Sequence, residues 1–137
     1  MLRGRGRGGL CQIWPASIDH LISRIQVSSN RVQACVLDLP TVENNEVTSK
    51  VLWLNTYFCT NPHVQNFDET ELLEILECIR NVIESTECDS VLWCGDTNSD
   101  FKLVNSRYVQ IISTFIDNMK LFKSWYKFEI DFSYMSM

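Results

Sequence analysis

The sequence predicts an α/β domain, and two observations carry that expectation. The runs Val51-Leu52-Trp53-Leu54 and Val91-Leu92-Trp93-Cys94 are apolar at every position, as expected of strands covered on both faces. Between them Leu72, Leu73, Leu76, Ile79, Val82 and Ile83 recur at helical spacing and define one apolar helix face. Strand, helix and strand in that order imply a right-handed crossover between parallel strands. A chain of 137 residues fits one domain, and at such lengths roughly two-thirds of the unfolded surface is buried on folding. Hydrophobic residues at 45%, charged residues at 21% and a mean hydropathy of -0.07 are those of a globular chain rather than a disordered one.

The elements follow in order. Arg3-Gly4-Arg5-Gly6-Arg7-Gly8-Gly9 reads as a solvated cationic loop, with an RNA-binding Arg-Gly arm as its alternative. Leu10-Cys11-Gln12-Ile13-Trp14 is expected to form a short strand ended by Pro15. Ile18, Leu21, Ile22 and Ile25 have helical spacing, but Ser28-Ser29-Asn30 interrupts them, so the segment is ambiguous. Residues 31–39 predict a strand, the polar stretch Glu43-Asn44-Asn45-Glu46 a hairpin turn, and residues 50–58 the return strand, which Asn61-Pro62-His63 breaks. Asp68 with Glu71 makes a capping-box-like start for a helix reaching about Ser85. A buried strand over residues 90–94 ends in the loop Gly95-Asp96-Thr97-Asn98-Ser99-Asp100. A second helix over residues 105–120 turns Val109, Ile112, Phe115, Ile116 and Met119 inward, and the alternating residues 128–134 predict a last strand.

Charge and cysteine usage narrow the function classes. A net charge of -5 and a pI near 4.9 argue against a domain whose affinity comes from wrapping phosphates. They leave room for an enzyme that grips DNA through a local patch and a metal, and Arg3, Arg5 and Arg7 form the only such patch in the sequence. No apolar run approaches the roughly 18 residues of a membrane span, and the Arg-rich start lacks the apolar stretch of a secretory signal. An intracellular protein, nuclear or cytoplasmic, is expected. The six cysteines show no Cys-x-x-Cys pair and are expected as buried reduced thiols rather than a zinc site or disulfide set.

Chemistry concentrates after the second apolar strand. Polar groups just beyond a strand's carboxyl end face the crevice where ligands bind in open α/β sheets, and Gly95-Asp96-Thr97-Asn98 stands there. The Asp96 carboxylate could orient or deprotonate an attacking water, with Asn98 holding a phosphate oxygen or a metal, a pairing suited to phosphodiester hydrolysis. Gly, Asp and Asn are also the default residues of turns, so an ordinary loop explains them equally. Neither His20 nor His63 has a position that suits a catalytic role.

Gly95-Asp96-Thr97-Asn98 resembles the Gly-Asp-Phe-Asn motif of the endonuclease/exonuclease/phosphatase family, which contains exonuclease III, DNase I and the endonucleases of LINE-type retrotransposons. Gly8-Gly9-Leu10-Cys11-Gln12-Ile13 is similar to that family's Gly-Gly-Val-Ala strand, Leu54-Asn55-Thr56-Tyr57-Phe58 to its Asn-Val-Tyr-x-Pro strand end, and Asp131-Phe132-Ser133-Tyr134 to its Asp-Phe-Thr-Tyr segment. These matches come in the family's order, and the last of them with the Arg-Gly start favours the retrotransposon branch. The resemblance implies a DNase I-like sandwich of two β-sheets with flanking helices and a magnesium-dependent enzyme that nicks DNA. It makes Asp96 the water-activating carboxylate, Asn98 its phosphate or metal partner, and Tyr57 a phosphate-contacting phenol, where a packed aromatic is the plain reading.

The departures bear on activity. Thr97 replaces the usual Phe, and Cys59 or Thr60 stands where a Pro is common. The family's metal-binding Glu and first-strand Asn precede the Gly-Gly strand, and its Ser-x-x-Asp-His segment follows Asp-Phe-Thr-Tyr; neither is found within residues 1–137. The expectation is a single partial domain with an incomplete acid/base pair, marginally stable and self-associating through exposed sheet edges. Its rival is a degenerate, non-catalytic α/β module or a weak nucleic-acid binder. A doubly wound small-ligand domain ranks last, because no Gly-x-Gly-x-x-Gly is present.

Overall fold

In the computed structural model, which describes residues 9–40, 47–58 and 67–121, the ambiguous segment from Ile18 to Ile25 divides between two elements. Pro15, at φ -62, leads into the 3-10 turn Ala16–Leu21, which passes directly into strand β1, Ile22–Ile25. β2 (Val32–Pro40) and β3 (Val47–Tyr57) form the expected antiparallel pair, with Ala34 opposite Leu54 and Val36 opposite Leu52. The hairpin turn expected between them lies outside the described residues, as do Arg3, Arg5, Arg7, Cys59, His63 and the last expected strand, residues 128–134.

Helix α1, Glu69–Ser85, begins where the capping signal predicts: the Asp68 carboxylate accepts the Glu71 N–H at 3.0 Å, satisfying one of the orphan donors of the first turn. The chain then returns as β4, Ser90–Asp96, parallel to β3, and helix α2, Arg107–Asn118, follows. The described strands make one mixed four-stranded sheet in the order β1-β2-β3-β4, so the chain is α/β.

Side-chain alternation gives this sheet two unlike faces. The inner face presents Val32, Ala34, Leu52, Leu54 and Thr56 to Leu72, Ile75, Leu76, Ile79 and Val82 of α1 and to Tyr108, Ile112, Phe115 and Ile116 of α2. Each fully buried aliphatic side chain there stabilises by about 1.5–3 kcal/mol. The buried Thr56 hydroxyl accepts a hydrogen bond from the Trp93 indole at 2.8 Å.

The outer face carries Gln33, Cys35, Leu37, Trp53, Asn55, Leu92 and Cys94. Residues 10–14 cross part of it, but not as the strand their pattern predicts. They are tied down by side-chain amides instead: Gln33 donates to the Leu10 carbonyl, Asn55 to that of Cys11, and Gln12 to that of Trp53. The Trp14 ring meets Trp53 edge-on at 6.5 Å between centroids, and the Arg24 guanidinium lies over Trp14.

Three further expectations are corrected. β4 is covered only on its helix side, because the residues 10–14 that cross the outer face are tied to β2 and β3; Leu92 and Cys94 are exposed on its other side. Leu73, expected on the buried face of α1, is exposed, whereas Ile75, one turn from Leu72 and Ile79, is buried. Cysteines are not uniformly buried: Cys35 is, and burial raises its thiol pKa, whereas Cys11 and Cys94 are exposed. No helix among the described residues is long and apolar enough to cross a membrane.

Candidate functional site

Because β3 and β4 are parallel, their carboxyl ends lie side by side, and the register pairs Tyr57 with Asp96. One residue earlier Gly95 faces Thr56 at φ +132, and a Cβ built there would stand 2.0 Å from the Thr56 carbonyl oxygen. Only glycine allows this approach. The ladder continues past Gly95, with the Phe58 N–H donating to the Asp96 carbonyl at 2.9 Å. β4 therefore runs two residues beyond the expected strand end, and Asp96 is its last residue.

The loop then closes on itself. The Asp96 carboxylate accepts the Asn98 N–H at 2.8 Å, an Asx-turn, and Asn98 adopts φ 49, a left-handed conformation that Asn tolerates better than most residues. The Asn98 side-chain amide donates to the Phe58 carbonyl at 2.9 Å, pinning the loop to the end of β3. From the opposite side, the buried Tyr108 in the first turn of α2 donates its hydroxyl to the Thr97 carbonyl at 3.0 Å. Asp96 remains exposed, with one carboxylate oxygen committed to the turn; Asn98 is half-buried and structural through its nitrogen.

Tyr57 does not stand alone. Its N–H donates to the Arg31 carbonyl at 3.0 Å, and the Arg31 guanidinium lies over its ring, 5.4 Å from the centroid. The same guanidinium reaches Glu71 of α1 at 3.3 Å, while Arg107 of α2 pairs with Glu69 at 2.9 Å, a hydrogen bond that raises the Arg107 pKa. Arg31, Tyr57 and Asp96 thus form a row across the ends of three neighbouring strands. Sequence reading found the second and third of these and missed Arg31. No spacing links Arg31 to Glu71, forty residues away, and Glu71 reads simply as part of the helix start.

The magnesium ion implied by the resemblance is poorly matched by these groups alone. A hard cation needs several oxygen ligands in near-octahedral array, and no cluster of three or more His, Cys, Asp or Glu side chains exists among the described residues. Asp96 offers one uncommitted carboxylate oxygen, and the amide of Asn98 is turned toward Phe58. The described residues do not make a magnesium cradle.

No family model, no curated protein and no solved structure matches the chain. What the mouth can do follows from its own groups. An exposed carboxylate can orient water, a phenol can donate to an anionic oxygen, and a guanidinium stacked on that phenol can neutralise charge.

Proposed function

We propose that the mouth at the ends of β3 and β4 contacts a phosphodiester and belongs to a DNA-nicking endonuclease site of the retrotransposon type. The pairing of Tyr57 with Asp96 at adjacent strand ends carries this reading: two polar groups thirty-nine positions apart meet where parallel sheets hold their ligands. Asp96 orients or deprotonates the attacking water, Tyr57 donates to a phosphate oxygen, and Asn98 keeps the loop in place. Arg3, Arg5 and Arg7 are the proposed contacts to the rest of the DNA backbone. Magnesium, proposed as the cofactor, would take Asp96 as one ligand and needs others outside the described residues.

The same reading proposes that the four-stranded sheet is one layer of a two-sheet sandwich, with self-association as the alternative way to cover it. The exposed Leu92, and the Gln33 Oε1 and Trp53 Nε1 atoms that are buried without partners on the outer face, support this. One observation favours a rival, non-catalytic module that binds nucleic acid weakly: Asp96 and Asn98 both serve the turn.

Asp96→Asn separates the two, because an Asn amide oxygen still accepts the Asn98 N–H while the base is lost. Supercoiled plasmid is incubated with magnesium and the wild type, Asp96→Asn, or the wild type with EDTA. The enzyme reading expects nicking that falls by about 100-fold in the variant, at unchanged melting temperature, and disappears with EDTA. A folded wild type that leaves the plasmid intact makes the chain a non-catalytic module.

A further inference from the structure

Arg31 is the residue at this mouth that the reading above leaves without a task. Its carbonyl accepts the Tyr57 N–H, which sets residue 31 in line with Tyr57 and Asp96 across the sheet. Arg31 stands in the turn just ahead of β2, and its guanidinium spans the end of the sheet, covering the Tyr57 ring and reaching Glu71 of α1. The side chain is 29% exposed, so it is held rather than sealed.

The ion pair with Glu71 does not account for it. At 3.3 Å the contact is longer than a tight charge-assisted bond, and exposed pairs of this kind contribute little to stability. It uses one nitrogen of a planar group with five N–H donors. Stacking on Tyr57 and a tether to Glu71 fix the plane of the fork while leaving donors for a second acceptor. Charge argues the same way. A chain of net charge -5 whose mouth carries Asp96 and Glu71 repels a phosphate unless a local cation offsets them. Arg107, the first residue of α2, is held more tightly, by Glu69 at 2.9 Å.

We propose that Arg31 binds a phosphate oxygen of the substrate strand beside Tyr57, with Glu71 setting the orientation of the guanidinium. The inference rests on the phosphodiester reading above and extends it to a phosphate subsite in the turn that enters β2.

The test is the salt dependence of binding to a fluorescein-labelled 20-base-pair duplex, for the wild type, Arg31→Met and Arg31→Lys, each checked for folding by circular dichroism. Arg31→Gln replaces Arg31→Met should the latter not fold. The expected result is that Arg31→Met flattens the slope of log affinity against log salt by about one unit, the signature of one lost phosphate contact. Arg31→Lys restores the slope but not the full affinity, since an ammonium lacks the planar fork. A merely structural Arg31 would shift affinity without moving the slope. Equal slopes in wild type and Arg31→Met overturn the inference and leave the DNA-contact reading standing. If the wild type binds no duplex, pyrophosphate is titrated while the Tyr57 ring is followed by NMR. A ring shift lost in Arg31→Met keeps the anion subsite and removes the nucleic-acid reading; no shift removes both.

Discussion

The two faces of the sheet are built on different physics. The inner face is a largely apolar layer: Leu52, Leu54, Leu72, Ile79 and Ile112 have no exposed surface, the buried hydroxyls of Thr56 and Tyr108 are both paired, and Arg80 Nε on α1 is buried without a hydrogen-bond partner. The outer face is held by amide side chains reaching main-chain carbonyls, and it leaves the Gln33 Oε1 and Trp53 Nε1 atoms buried without a partner. Non-directional burial tolerates many arrangements of similar volume, whereas each amide contact depends on a single geometry. Stability should therefore reside on the helix side, and adaptability on the side where Tyr57, Arg31 and Asp96 meet.

Three substitutions test that contrast. Ile112→Ala, in the centre of α2, should cost about 2–5 kcal/mol through lost burial and the cavity left behind, read as a lower denaturant midpoint at unchanged slope. A loss below about 1 kcal/mol would mean the inner face is loosely packed and the contrast false. Asn55→Ala, which removes the amide donated to Cys11, should cost about 0.5–1.5 kcal/mol and speed amide exchange in residues 10–14, leaving α1 and α2 protected. Uniform loss of protection across both helices would instead join the two faces into one cooperative unit. The smallest effect is expected from Trp53→Phe. Removing a buried N–H that has no partner should change stability by less than about 0.5 kcal/mol or raise it, despite the loss of a large side chain's ring. A cost as large as that of Ile112→Ala would show that the packing of the indole ring against Trp14 outweighs the unpaired N–H.

The comparison also explains what could be read in advance. α1 was legible because six apolar residues and the Asp68 cap agree with one another, and the structure changes only Leu73 for Ile75 on the buried side. β3 was legible as a central strand because both of its neighbours are in the sheet. β4 has the same apolar run, and nothing in Val91-Leu92-Trp93-Cys94 distinguishes a strand covered on both faces from one covered on its helix side alone. The segment 10–14 misled for a related reason. Its composition suits a strand, but its main chain is captured by Gln33 and Asn55, which are 23 and 44 positions away from the carbonyls they bind.

At the mouth, the sequence by itself determined the Asx-turn: Asp96 and Asn98 are two positions apart, and the hydrogen bond between them and the left-handed Asn98 are local. It also determined the helix–strand order, because periodicity is a local property of the chain. Only the tertiary structure decided that Asp96 stands opposite Tyr57, that Arg31 stacks on that ring, and that Glu71 holds Arg31. Those contacts are set by strand register and by the packing of α1 against the sheet, and both emerge only when distant apolar faces are buried together.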